Sequence, residues 1–182
     1  MSYKHWIYIA TGLFGIGITL GLVIPVGIAD LFGEEMTALE ELAAILGPFQ
    51  IATAAFIFIK NGSALLVSFM FSPFLCLPPV IALVVNGGLL SVVSVAVVQE
   101  ESLGLLLAGI LPHGIIEIPA LIIGEAAALS SGVLIISALF SKGKSNRLLP
   151  GLKLNLKYLL LACLLLLPAA FIETYVTPLL LT

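Results

Sequence analysis

Within Leu111–Gly124, LPHGIIEIPALIIG, an imidazole and a carboxylate stand four residues apart, at His113 and Glu117. On a helix that spacing puts both on one face, with Cβ atoms about 6 Å apart. Three kinds of chemistry fit such a pair. His113 can change charge near neutral pH and exchange a proton with Glu117. The two are also two of the three protein ligands that a catalytic zinc site needs, with Glu173 or Glu125 as the third. The third possibility is structural: each group lowers the cost of burying the other. Gly114 removes bulk beside His113, which lets another backbone or a ligand approach. His5 lies near the opposite interface, Cys76 and Cys163 sit in apolar runs, and no Ser/His/Asp arrangement is evident. No cofactor is called for; a metal, if any, would take His113, Glu117 and Glu173.

The pair lies in a run, Leu103–Phe140, that is otherwise almost wholly apolar apart from Glu125. The whole chain of 182 residues is 61% hydrophobic and 9% charged, with a mean hydropathy of +1.26. Soluble domains carry about 25% charged residues, and a chain this short cannot bury so much apolar surface in a core of its own. The composition therefore predicts a single all-α transmembrane domain over residues 1–182, a polytopic helical bundle in the cell membrane. Continuous rather than alternating apolar runs argue against a barrel, and the net charge of −3 argues against a nucleic-acid partner. At bilayer depth an ionisable residue is expensive and marks a functional site by default.

Five to six crossings are expected, with one or two broken or re-entrant half-helices. The first span, Trp6–Gly27, is too long for a signal-peptide core. Its Gly17-x-x-x-Gly21 stripe fits a close helix contact, either inside the bundle or in a homodimer. An acidic loop, Asp30–Glu41, follows. The second span is read as Leu42–Ile59, ended by Lys60-Asn61-Gly62. Ser63–Phe71 is then too short to cross and reads as a half-helix. The third span, Leu77–Val98, carries Asn86 near its middle, where an amide makes an interhelical hydrogen bond or lines a cavity.

As one helix, Leu103–Phe140 would be about 57 Å long, nearly twice the hydrocarbon thickness. With Pro112 and Pro119 inside it, a half-helix Leu103–Leu111 followed by one crossing fits best; a two-span hairpin is the rival. The last span, Leu154–Phe171, leads to Glu173. Lys142, Lys144, Arg147, Lys153 and Lys157 form the densest basic cluster, so the loop 142–157 is expected in the cytoplasm and the acidic loops outside. On this layout His113, Glu117, Asn86 and Glu173 should converge in the outer half of the membrane. Glu125, about 12 Å farther along the helix, should lie outside that cluster.

Four stretches carry a resemblance: Asn61; Asn86-Gly87; Leu111-Pro112-His113-Gly114 with Glu117 and Pro119; and Ala170-Phe171-Ile172-Glu173. They resemble the stage II sporulation protein M family of integral membrane proteins, and the His-Gly-x-x-Glu stretch is the specific part. In spore formers the resemblance implies a non-enzymatic membrane anchor that recruits two peptidoglycan-cleaving partners during engulfment. Most members occur outside spore formers. Glu125 departs from the pattern, which has a small residue there, and adds a third ionisable group near the motif.

Three functions follow as expectations. The first is a membrane scaffold that organises envelope partner proteins in the lipid bilayer. A transporter or channel for a small solute or ion is the second, using His113 and Glu117. The third is an intramembrane metal-dependent hydrolase.

Overall fold

The computed structural model describes residues 3–23, 47–140 and 148–181. These form six helices: α1 (Tyr3–Val23), α2 (Ile51–Phe71), α3 (Leu77–Glu100), α4 (Leu103–Phe140), α5 (Leu148–Tyr175) and the single turn α6 (Thr177–Leu180). The first five are long and apolar enough to cross a membrane. The domain is thus an all-α polytopic bundle. The acidic loop 30–41, the basic residues Lys142, Lys144 and Arg147, and the expected span start at 42–46 lie outside the described residues.

The side chains are distributed as lipid demands. Large apolar groups cover the outside, with Phe140 at 86% and Val23 at 80% exposure. Small residues are prominent in the interior beside leucines such as Leu65 and Leu83: Ala10, Ala54, Ala120, Ala126–Ala128, Ala162, Ala169 and Ala170 are all buried. Lipid tails are as apolar as Leu, so helices associate through close packing of small residues rather than by hiding apolar surface.

Residue pairings fix the direction of each helix. Gly17 meets Val84 and Gly21 meets Gly88, so α1 and α3 run parallel. Asn61 pairs with Glu117, Ser68 with Glu125, and Ser72 lies against Gly132, so α2 and α4 are also parallel. Asn155 reaches Ser131, and Leu134 lies over Gly151, while Glu173 approaches Glu117. The long α5 is therefore antiparallel to α4. Successive crossings alternate, which puts Val23, Ile51, Glu100, Leu103 and Tyr175 at one end of the bundle. Phe49 N–H donates to Thr174 O at 3.2 Å there, and Phe49, Phe171 and Tyr175 form an aromatic cluster that fits an interface girdle. Toward the other end, Tyr3 stacks on Tyr158 with centroids 3.5 Å apart and donates its hydroxyl to Ile123 O at 2.7 Å.

Two expectations about broken helices are corrected. Lys60-Asn61-Gly62 does not end a span, and Ser63–Phe71 is not a separate half-helix; both belong to the continuous 21-residue α2. Every backbone donor at membrane depth needs an acceptor, and continuing the helix supplies one. An exposed Lys60 can run its stem along the helix toward polar surroundings. Likewise Leu103–Leu111 is the first part of α4, a 38-residue helix that contains Pro112 and Pro119 without a break. Spanning helices tolerate proline because neighbours and local adjustment satisfy the freed carbonyls. Excess length is absorbed by tilt or by projection beyond the hydrocarbon. Ser102 sets the start, accepting the Leu105 N–H at 3.1 Å. One helix between Glu101 and residue 140 also removes the two-span hairpin.

The glycine stripe of α1 is used inside the chain. A Cβ on Gly17 would stand 2.2 Å from Val84 O, and one on Gly21 would stand 2.5 Å from Gly88 O. Any homodimer would need a different face.

Candidate functional site

At the end of the bundle marked by Tyr175, four helices bring polar side chains together. Asn61 comes from α2, His113 and Glu117 from α4, Glu173 from the last turn of α5, and Thr177 from α6. The i, i+4 spacing sets His113 Nε2 3.9 Å from Glu117 Oε2. Antiparallel packing of α5 on α4 then delivers Glu173. One ligating atom each from His113, Glu117 and Glu173 lies within 4.8 Å of the other two.

The outer edges of this trio are held by neighbours. Asn61 Nδ2 donates to Glu117 Oε1 at 2.8 Å. His113 Nδ1 stands 3.3 Å from Thr177 Oγ1. Lys60, one residue before Asn61, is exposed and close enough to act electrostatically on both Glu117 and Glu173. The site thus holds one exchangeable imidazole and two carboxylates, with a lysine at its edge. Its His113 and Glu117 side chains are 16% and 29% exposed, so it is sheltered but reachable.

A half-open cavity of about 250 Å³ adjoins His113 and Glu117, lined also by Gly114, Asn86 and apolar side chains of α1, α3 and α4. Asn86 looks onto this space, yet its amide donates to Ala82 O of its own helix at 2.8 Å. It therefore borders the site without entering the hydrogen-bonded group. Gly114 also lines the cavity; no foreign backbone approaches it, and a Cβ there would first meet Ile110 and Ile118 of α4. Glu125 is apart, 1% exposed, accepting from Ser68 Oγ of α2.

Sequence reasoning missed Thr177 and the place of Lys60. Thr177 follows Glu173 by four residues, the spacing that puts two residues on one helical face, and that was the available signal. Nothing local marks Lys60 as mid-helix. Only the length of α2 does.

These features describe a polytopic membrane protein with an ionisable site built between its crossings. The family model for Stage II sporulation protein M matches residues 10–178, and the chain belongs to that family. No match is found among curated proteins or among solved structures.

The geometry predicts different outcomes for two substitutions. Glu117→Gln keeps an acceptor for Asn61 and should change stability by less than about 1 kcal/mol. His113→Leu strips Glu117 and Thr177 of a partner at once and should cost about 1–3 kcal/mol. Thermal unfolding in detergent measures both; equal effects would contradict the bonding described.

Proposed function

We propose that the protein is an integral membrane scaffold that organises partner proteins at the cell envelope. The observation that carries this reading is the family match, which takes in nearly all of the five crossings, from residue 10 to residue 178. The polar site supports it as a fastening: hydrogen bonds join α2 to α4 and α4 to α6, and the outward surface stays apolar for lipid and partner helices. The basic segment 142–157 faces the cytoplasm in this reading, together with Lys4, and the segment between Val23 and Gly47 faces outward. Single cysteines at positions 35 and 144 should accordingly label from opposite sides of the membrane; labelling from one side rejects the topology.

A photo-cross-linking residue placed at lipid-facing positions such as Leu20, Leu66 and Leu160 tests the scaffold in native membranes. Discrete adducts at one face, retained in Glu117→Gln, are expected. A second reading, movement of a small solute or ion, is favoured by the cavity beside His113, Glu117 and Asn86. Flux through the protein in liposomes, abolished by Glu117→Gln and accompanied by no discrete adducts, would replace the scaffold with a transporter.

A further inference from the structure

We propose that His113, Glu117 and Glu173 form a binding site for a divalent transition metal of the zinc class, with Asn61 and Thr177 as positioning residues. The inference goes beyond the scaffold reading and does not depend on it.

The donor set is the first argument. One imidazole nitrogen and two carboxylate oxygens suit zinc and its neighbours. Magnesium and calcium prefer all-oxygen shells, and the imidazole disfavours them.

Geometry is the second. Zinc bonds of about 2.0–2.1 Å put tetrahedral ligands about 3.3 Å apart. His113 Nε2 and Glu117 Oε2 already stand 3.9 Å apart, and all three ligating atoms fall within 4.8 Å of one another. At most about 1.5 Å remains to be closed between any two ligating atoms, which side-chain rotation would have to supply.

The third argument is orientation. A ligand is effective when its other polar atom is held by a group outside the shell. Glu117 Oε1 accepts from Asn61, which leaves Oε2 for the metal. His113 Nδ1 faces the Thr177 hydroxyl, which leaves Nε2 for the metal. Asn61 and Thr177 come from different helices, and each meets the ligand atom that the metal would not use.

Access is the fourth. The 250 Å³ cavity borders His113 and Glu117 from the side of α1 and α3, although Glu173 does not line it, so two of the three ligands can be reached through open space. A three-ligand zinc site keeps its fourth position for water or a small ligand.

Lys60 is the competitor. Two carboxylates this close repel each other unless a cation or a proton intervenes. Lys60 acts on both Glu117 and Glu173 from the exposed side of α2. A dication seated between the carboxylates would neutralise both at shorter range than the ammonium does.

Purified protein in lipid nanodiscs, stripped with chelator and titrated with Co²⁺ and then Zn²⁺, tests the proposal. About one Co²⁺ per chain should bind, with visible absorption of a low-coordinate site that Zn²⁺ bleaches. Zn²⁺ should also raise the unfolding temperature. Asn61→Ala should weaken binding about 10–100-fold while keeping the absorption band. Glu173→Gln should weaken it more than Asn61→Ala does, and His113→Ala should remove the band. Glu125→Gln should bind as wild type does, and Lys60→Met should bind at least as tightly. Chain that elutes as a folded monodisperse species yet shows no Co²⁺ band and no Zn²⁺-dependent shift would overturn the proposal. So would wild-type affinity in folded Glu173→Gln, or binding lost in Lys60→Met.

Discussion

Gly17→Ala and Gly87→Ala should each destabilise the bundle by about 1–3 kcal/mol, whereas Gly12→Ala and Gly15→Ala on the same first helix should not destabilise it. The contrast comes from what a methyl group would meet. At Gly17 it would lie 2.2 Å from the carbonyl oxygen of Val84, and at Gly87 it would lie 2.2 Å from that of Phe14. Both obstacles are helix backbone, so α1 and α3 would have to move apart as rigid rods. Gly12 and Gly15 have nothing within 4 Å of an added Cβ. There alanine is a better helix former than glycine by up to about 1 kcal/mol. The reciprocal contacts, Gly17 on Val84 and Gly87 on Phe14, make the seam symmetrical in cost. Unfolding monitored in detergent would detect the difference. Equal behaviour of Gly12→Ala and Gly17→Ala would mean that α1 and α3 are not in backbone contact.

Ser68→Ala should cost about 1–3 kcal/mol, and Ser68→Ala combined with Glu125→Leu should recover most of that loss. Glu125 is 1% exposed, among Gly124 and Ala126–Ala128, and its carboxyl accepts from Ser68. Removing the hydroxyl strands a buried carboxyl, and an unpaired buried polar group costs its full desolvation. Removing the carboxyl as well leaves an apolar pair, which is nearly neutral. Glu125→Leu alone leaves only a serine, whose hydroxyl can turn back to a carbonyl of α2. A thermodynamic cycle over the four proteins gives the coupling directly. Additive losses would show that the two side chains do not depend on each other.

The layout of crossings was legible because it rests on long apolar runs. The third span was read as Leu77–Val98 and is found as Leu77–Glu100. Punctuation was misread. Lys60-Asn61-Gly62 and Pro112 look like helix ends under the rules for water, where a broken helix finds solvent partners. In lipid the broken ends have none, so α2 and α4 run through them. That shift moved Lys60 from the expected end of a span to the middle of α2, at the edge of the polar site.

Proximity of His113, Glu117 and Glu173 followed from depth alone, since all three lie in the halves of α4 and α5 that share the Leu103 and Tyr175 end of the bundle. Asn86 satisfied the same depth argument but turned its amide onto its own helix, which depth cannot foresee. Ser68 gave no sign of its pairing with Glu125. A serine in an apolar helix reads the same whether it bonds its own carbonyl or a neighbour.

Convergence of α4 and α5 on one ionisable site is tested most directly by cross-linking a chain split within 141–147, its halves coexpressed and its native cysteines replaced. With Glu117→Cys in one fragment and Glu173→Cys in the other, a thiol cross-linker of about 5 Å span should join the fragments in the membrane; the two side chains present atoms within 4.8 Å of one another. Glu125→Cys paired with Glu173→Cys should not join them, because Glu125 lies about 12 Å farther along α4. Fragments joined by the second pair but not by the first, or by neither, would contradict the site.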